Sequence, residues 1–182
     1  MKLTKFKSMK KIILTALVAA SSLCASAQVW MGGSLGFQSV SPKGGDSNTT
    51  FSLAPTVGYT LDENWDLAIS INYENMGDVL KGAEKDAFSV EPFARYTFAK
   101  AGIASFYVDG GFSYGVTNYE GGGDATTFKI GLRPGVKVSL SDKVDLAASL
   151  GWFGYKNVKD NYNAFGLNVD NTSLNFGMYW KF

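Results

Sequence analysis

Residues 128–150 read FKIGLRPGVKVSLSDKVDLAASL, and their alternation decides the fold. Phe128, Ile130, Leu132, Pro134, Val136, Val138 and Leu140 share one parity, while Lys129, Gly131, Arg133, Gly135, Lys137 and Ser139 share the other. Ser141-Asp142-Lys143 interrupts the run. Val144, Leu146, Ala148, Leu150, Trp152 and Gly154 then resume it against Asp145, Ala147 and Ser149. A period of two belongs to β-strands with two unlike faces, so the stretch predicts two strands joined by a tight turn.

Working outward, the same period recurs in 29–37, 51–61, 65–73, 88–98, 106–116 and 174–182. That makes eight strands. Most are about ten residues long, and a tilted strand needs ~9–11 to cross a membrane. The connections alternate. Residues 62–64, 99–105 and 141–143 are short; residues 39–50, 75–87, 117–127 and 155–173 are long and rich in Gly, Asn and Asp. Short turns at one end and long loops at the other predict an all-β fold, an eight-stranded antiparallel up-and-down transmembrane β-barrel.

Charge sharpens this reading. The apolar parity carries no charged residue. The other parity carries Asp66, Glu74, Glu91, Asp109 and Asp145 with Arg95, Lys129, Arg133, Lys137 and Lys181. Alternation alone does not say which face points inward, so a soluble, exported lipocalin-type barrel is the alternative. Three features favour the membrane arrangement. Aromatic residues of the apolar face gather near the short turns (Tyr59, Trp65, Tyr96, Phe98, Phe106, Trp180, Phe182) and near the long loops (Phe37, Phe51, Tyr73, Phe88, Phe128, Trp152), as in interfacial girdles. The polar face is rich in small residues, among them Gly32, Ser34, Gly58, Gly111, Gly131 and Gly135, which suit a narrow lumen. The chain ends at Phe182, inside the last strand.

The composition bounds the chemistry. The chain has 182 residues, 17 Lys+Arg against 16 Asp+Glu, one Cys and no His. The balanced charge gives no reason to expect nucleic acid as a partner. The absence of His removes the usual base of a Ser or carboxylate enzyme and the commonest metal ligand. No catalytic residue, metal site or cofactor is expected; Asp160-Asn161 lacks EF-hand spacing.

The balance hides an asymmetry. Lys2, Lys5, Lys7, Lys10 and Lys11 precede an apolar run over 12–20, and small residues follow, ending Ala25-Ser26-Ala27. This order describes a secretory signal peptide over 1–27, cleaved before Gln28. The run is too short to span a bilayer, which takes ~20 residues. Removing the five lysines takes the formal charge from +1 to −4, and the barrel domain is expected to be 28–182.

A repeat ties the strands together. APTVGYTLDENWDLA at 54–68 aligns with RPGVKVSLSDKVDLA at 133–147, shifted by 79 residues, and EPFARYTF at 91–98 is a third variant. Pro55, Pro92 and Pro134 stand at one height on three strands, which predicts a bulge or a skipped ladder bond there.

VGYTLDENWDLA, EPFARYTF and VSLSDKVDLAASLG, with the ending LNFGMYWKF, resemble the outer-membrane β-barrel domain family of small eight-stranded, porin-like barrels of Gram-negative bacteria. The resemblance covers all of 28–182. It implies residence in the cell outer membrane, the lipid bilayer as surroundings, and no particular role. The ending also resembles the signal read by the barrel-assembly machinery, with Phe176, Met178, Trp180 and Phe182 at alternate positions.

An eight-stranded barrel has room for little besides side chains, and buried charges need partners. The interior charges are therefore expected to form a closed ionic plug. Arg95 faces Asp109, Lys137 lies diagonal to Asp145, and Glu91 with Arg133 completes the network above them, with Tyr107, Phe93, Phe153 and Tyr179 as filler. This leaves a non-catalytic, monomeric barrel with a structural or surface-interaction role through its four outer loops, whose extracellular partner is open. A narrow small-solute channel or a ligand-holding barrel is the alternative. An outer-membrane enzyme is disfavoured by the missing His.

Overall fold

The computed structural model describes residues 29–40, 48–76, 85–119, 123–168 and 174–182. The signal segment, with Ala25, Ala27 and Gln28, lies outside the described residues. Among the described residues the strands run β1 (Val29–Val40), β2 (Asn48–Thr60), β3 (Trp65–Met76), β4 (Lys85–Ala101), β5 (Ala104–Tyr119), β6 (Asp124–Ser139), β7 (Val144–Leu150), β8 (Trp152–Val158), β9 (Tyr162–Asn168) and β10 (Leu174–Lys181). No helix long and apolar enough to cross a membrane occurs among the described residues.

β1 to β6 pair successively and antiparallel; β6 pairs with β7, β7 with β10, and β10 with β1, so the sheet closes on itself. β7 with β8 occupies the seventh position of an eight-stranded barrel, and β9 with β10 the eighth.

The barrel is inside out relative to a soluble protein. Asp66, Ser70, Arg95, Thr97, Asp109, Ser113, Asp145 and Ser149 are buried, while Leu35, Leu67, Ile69, Ile130, Leu132, Leu146, Phe176 and Met178 are exposed. A lipocalin-type interior would show the converse. An apolar exterior this continuous exceeds what a water-soluble monomer carries and fits contact with lipid. At the short-turn end the outward aromatics pair, with Trp65 and Tyr96 in register and their ring centroids 4.8 Å apart.

The 79-residue repeat is a repeat of structure. In the first turn the Asp62 carboxylate accepts from the amides of Asn64 and Trp65 at 2.8 and 2.9 Å, and the Leu61 amide donates to the Trp65 carbonyl. In the second, the Ser141 hydroxyl takes the place of Asp62, accepting from Lys143 and Val144, and the Leu140 amide donates to the Val144 carbonyl.

The prolines sit where pairing lapses. β2–β3 pairing skips Ala54 and Pro55 and resumes in the same register. β4–β5 pairing skips Glu91 and Pro92, again without a shift. β6 skips Arg133 and Pro134 on the side of β7 and β8. Each proline therefore lacks its N–H on an edge that forms no bridge at that level. Only the third site is also a bulge: Arg133 and Pro134 stand opposite three residues, Leu150, Gly151 and Trp152. Gly151 carries φ +71, the left-handed conformation in which glycine has no Cβ to strain.

That bulge corrects the reading of the seventh strand. One inserted residue reverses parity, so Trp152 turns into the lumen, Gly154 is buried, and Phe153 faces outward at 43% exposure against Phe165. The expectations that Trp152 and Gly154 face lipid and that Phe153 fills the interior fail here. The supposed loop 155–173 is also corrected. Most of it is a hairpin in which β8 and β9 pair from Trp152↔Asn168 to Val158↔Tyr162 around a turn at 159–161. The 117–127 loop likewise shrinks, since β5 and β6 stay paired as far as Asn118↔Asp124.

Candidate functional site in the barrel lumen

The lumen is best built from the short-turn end upward. The repeat places two acids there, Asp66 on β3 and Asp145 on β7, both buried. Each accepts from a hydroxyl on the strand before it: Thr60 donates to Asp66 at 2.6 Å and Ser139 to Asp145 at 2.8 Å. The Trp30 indole N–H also donates to Asp66 at 3.3 Å. Lys181 reaches Asp145 at 3.0 Å, and Lys137, diagonal to it, comes within 3.9 Å.

The next layer is an ion pair. Arg95 and Asp109 are register partners on β4 and β5. The guanidinium Nε donates to one carboxylate oxygen at 2.7 Å and an Nη to the other at 2.9 Å. Their side chains are 3% and 6% exposed. Such a fork is the strong geometry for Arg and a carboxylate. The guanidinium is also ringed by Tyr107 at 3.9 Å, Tyr179 at 5.4 Å, and Trp30 and Phe93 at 5.6 Å. Every one of those four rings is register-paired with a glycine: Trp30 with Gly58, Tyr107 with Gly135, Phe93 with Gly111 and Tyr179 with Gly32. A Cβ at Gly58 would stand 2.1 Å from the Trp30 ring, and one at Gly135 would stand 2.3 Å from the Tyr107 ring. The glycines make the slots that the rings fill.

One level higher, Arg133 on β6 pairs with Glu91 on β4, reaching over the intervening β5. The structure thus brings together Arg95 with Asp109, Arg133 with Glu91, and Lys137 with Asp145. It adds Trp30, and it supplies partners for Asp66 and Lys181, which the sequence places on the interior face without assigning them any. Trp30 shares the parity of Gly32 and Ser34, and Asp66 is the repeat mate of Asp145, so both signals were present.

Above this layer the filler changes from rings to small polar groups. Ser70, Asn72, Ser89, Ser113 and Ser149 line a cavity of about 830 Å³ together with Lys129, Trp152 and Lys156. The Thr56 hydroxyl donates to Ser70 at 3.0 Å and the Asn72 amide to Ser89 at 3.2 Å, so these walls satisfy one another. The lumen is packed below and open space above. At the hairpin tip, the Lys156 ammonium beside Tyr162 holds its phenol below the usual tyrosine range. No cluster of three or more metal-ligating side chains occurs among the described residues.

A closed wall of strands, lipid-facing side chains without charge and a polar, ion-paired lumen define a transmembrane β-barrel. A model of the outer membrane protein β-barrel domain matches residues 12–182, and the chain belongs to that family; it is a protein of the cell outer membrane, embedded in its bilayer. Among solved structures the barrel is similar to Neisserial surface protein A (NspA), with 20% identity and a TM-score of 0.58, covering 86% of this chain and 98% of that one. It is also similar to the N-terminal β-barrel domain of OprF from Pseudomonas aeruginosa, with 17% identity and a TM-score of 0.53, covering 85% and 98%. Both are likenesses of fold. No curated protein matches the sequence.

Proposed function

We propose that the chain is a non-catalytic, monomeric barrel, exported after loss of residues 1–27, that stabilises the outer membrane and presents its outer end as an interaction surface. One observation carries this reading. The lower lumen is filled by the buried Arg95–Asp109 pair and its four rings, which supports a barrel closed to ion flow. The length of the wall adds to it. β4, β5 and β6 have 17, 16 and 16 residues, well beyond the ~9–11 that a tilted strand needs to cross, so paired strands project past the bilayer.

The absence of His from the chain supports the non-catalytic part. Phe176, Met178, Trp180 and Phe182 face outward on alternate positions, all at least 40% exposed, which suits reading by the barrel-assembly machinery. The test is conductance of the refolded barrel in a planar bilayer. A closed plug yields no steady current. Steady single-channel currents would replace this reading with the narrow solute channel.

A further inference from the structure

Among the described residues, the β1–β10 pairing that closes the barrel does not run the full height of the wall. β1 pairs with β10 from Trp30↔Lys181 to Gly33↔Met178, and there the pairing ends. Yet β1 continues with β2 to Val40, and β10 continues with β7 up to Leu174. The last paired residue, Gly33, has φ +148, a conformation that L side chains rarely adopt. Higher up, β9 pairs with β8 and, among the described residues, with no other strand. Among the described residues, the upper edge of β1, from Ser34, and the edge of β9 are therefore left without a bridge between them, a seam in the pairing. Irregular or unpaired backbone at membrane depth is tolerated where it is covered or lines a cavity, not where it meets lipid tails bare.

The seam has an apolar border, and two lysines stand opposite each other on the wall inside it. Leu35, Phe165, Leu167 and Phe176 are among the most exposed large side chains, at 75, 72, 67 and 67%. The 830 Å³ cavity takes part of its lining from Phe165, Leu167 and Phe176 at the seam, and part from Lys129, Lys156, Glu74 and Glu91 inside. Its size lies within the ~300–1,000 Å³ of small-molecule sites. Lys129 and Lys156 are direct register partners, brought opposite each other by the Gly151 bulge. Like charges placed directly opposite destabilise a sheet. Neither lysine belongs to the ion pairs of Arg95, Arg133, Lys137 and Lys181. Lys156 instead lies 5.5 Å over the Tyr162 ring.

The geometry points to a lateral binding site for a single-chain amphiphile with an anionic head, entering from the outer leaflet. Its carboxylate or phosphate sits between Lys129 and Lys156, and its acyl chain leaves through the β1–β9 seam along Leu35, Phe165 and Leu167. This goes beyond the closed-plug reading, since the plug lies below the cavity and a conducting barrel could still carry the seam.

The test uses the full barrel refolded in phosphatidylcholine vesicles and palmitic acid carrying a diazirine at the chain end. Irradiation should label Leu35, Phe165, Leu167 and Phe176 saturably. Unlabelled palmitate should compete, whereas hexadecanol and acetate should not. The double variant Lys129→Gln/Lys156→Gln should weaken labelling on the order of tenfold or more, since charge-assisted contacts are lost. Gly166→Trp gives a second arm: a Cβ there meets nothing within 4 Å, so the ring fills the cavity without displacing the wall. It should abolish labelling in a barrel whose gel mobility still shifts on heating. Even, unsaturable labelling around the barrel overturns the proposal, as does acetate competing as well as palmitate. Undiminished labelling of folded Gly166→Trp overturns it even if the lysine variant fails to fold.

Discussion

Removing the Arg95 guanidinium while keeping its stem, as Arg95→Met, isolates the charge in the plug. The change leaves the Asp109 carboxylate, 6% exposed, without either of its bonds at 2.7 and 2.9 Å. Breaking one side of a buried pair destabilises by about 3–5 kcal/mol. Lost cation–π contact with Tyr107 at 3.9 Å adds about 0.5–2 kcal/mol. Two neighbours moderate the total. Arg133 is the register partner of Asp109 on β6, and Asp66 is that of Arg95 on β3, so each orphaned charge has a second partner at hand. The lower end, about 3 kcal/mol, is expected for Arg95→Met and for Asp109→Leu. The double variant Arg95→Met/Asp109→Leu orphans nothing, and replacing both partners of a buried pair with apolar groups is often neutral. It should lie well above the sum of the two losses, with a coupling energy of roughly 3 kcal/mol. The assay is urea unfolding in vesicles followed by tryptophan emission and heat-shifted gel mobility, with Trp30 reporting from the same layer. A double variant equal to the sum of the singles, within about 0.5 kcal/mol, would refute the pair as a coupled unit.

Leu132→Arg places a charge on the lipid face at mid-wall, where Leu132 is 47% exposed, and should destabilise by about 2–4 kcal/mol; unfolding losses below about 0.5 kcal/mol would mean the face is not in hydrocarbon. Gly151→Val forces a branched side chain into φ +71, at a penalty of at least about 1–2 kcal/mol, and should loosen the β8–β9 hairpin first, read as faster amide exchange over 152–168. Exchange confined to other strands would show that the bulge does not anchor the hairpin. Deleting Phe182 should reduce assembly in cells more than refolding into detergent; equal loss in both would assign the residue to packing alone.

Parity carried most of the fold. The faces of β2, β3, β5 and β6, the short turns and the buried acids at both ends of the 79-residue repeat all follow from alternation, because a strand keeps its phase unless a residue is inserted. Phe98 is an insertion at the short-turn end of β4, and Gly151 is the one that turns the cavity wall over; nothing distinguishes that glycine in sequence from the glycines of regular pairing. Past it, the residues that keep the old parity, Trp152 and Gly154, imitate a continuing lipid face while the wall has turned over. The hairpin beyond has the sequence of a loop, because Lys156, Asn157, Lys159, Asp160 and Asn161 weaken the alternation.

The lumen was legible in its charges and not in its space, and the reason is steric. Eight strands fix a bore that side chains can fill, so what fills it depends on which residues meet across neighbouring strands. Trp30 meets Gly58, Phe93 meets Gly111, and Tyr107 meets Gly135, at separations of 28, 18 and 28 residues along the chain. Where a ring meets a glycine, the ring lies flat across the slot and the bore closes around Arg95. Where serines meet hydroxyls and amides, as Thr56 meets Ser70 and Asn72 meets Ser89, the side chains bond along the wall and leave the axis empty. Register, not composition, therefore separates the plugged half of this barrel from the half with a cavity. Exchanging one ring–glycine pair, as in Tyr107→Gly/Gly135→Tyr, should preserve closure, whereas Tyr107→Gly alone should open the lower lumen.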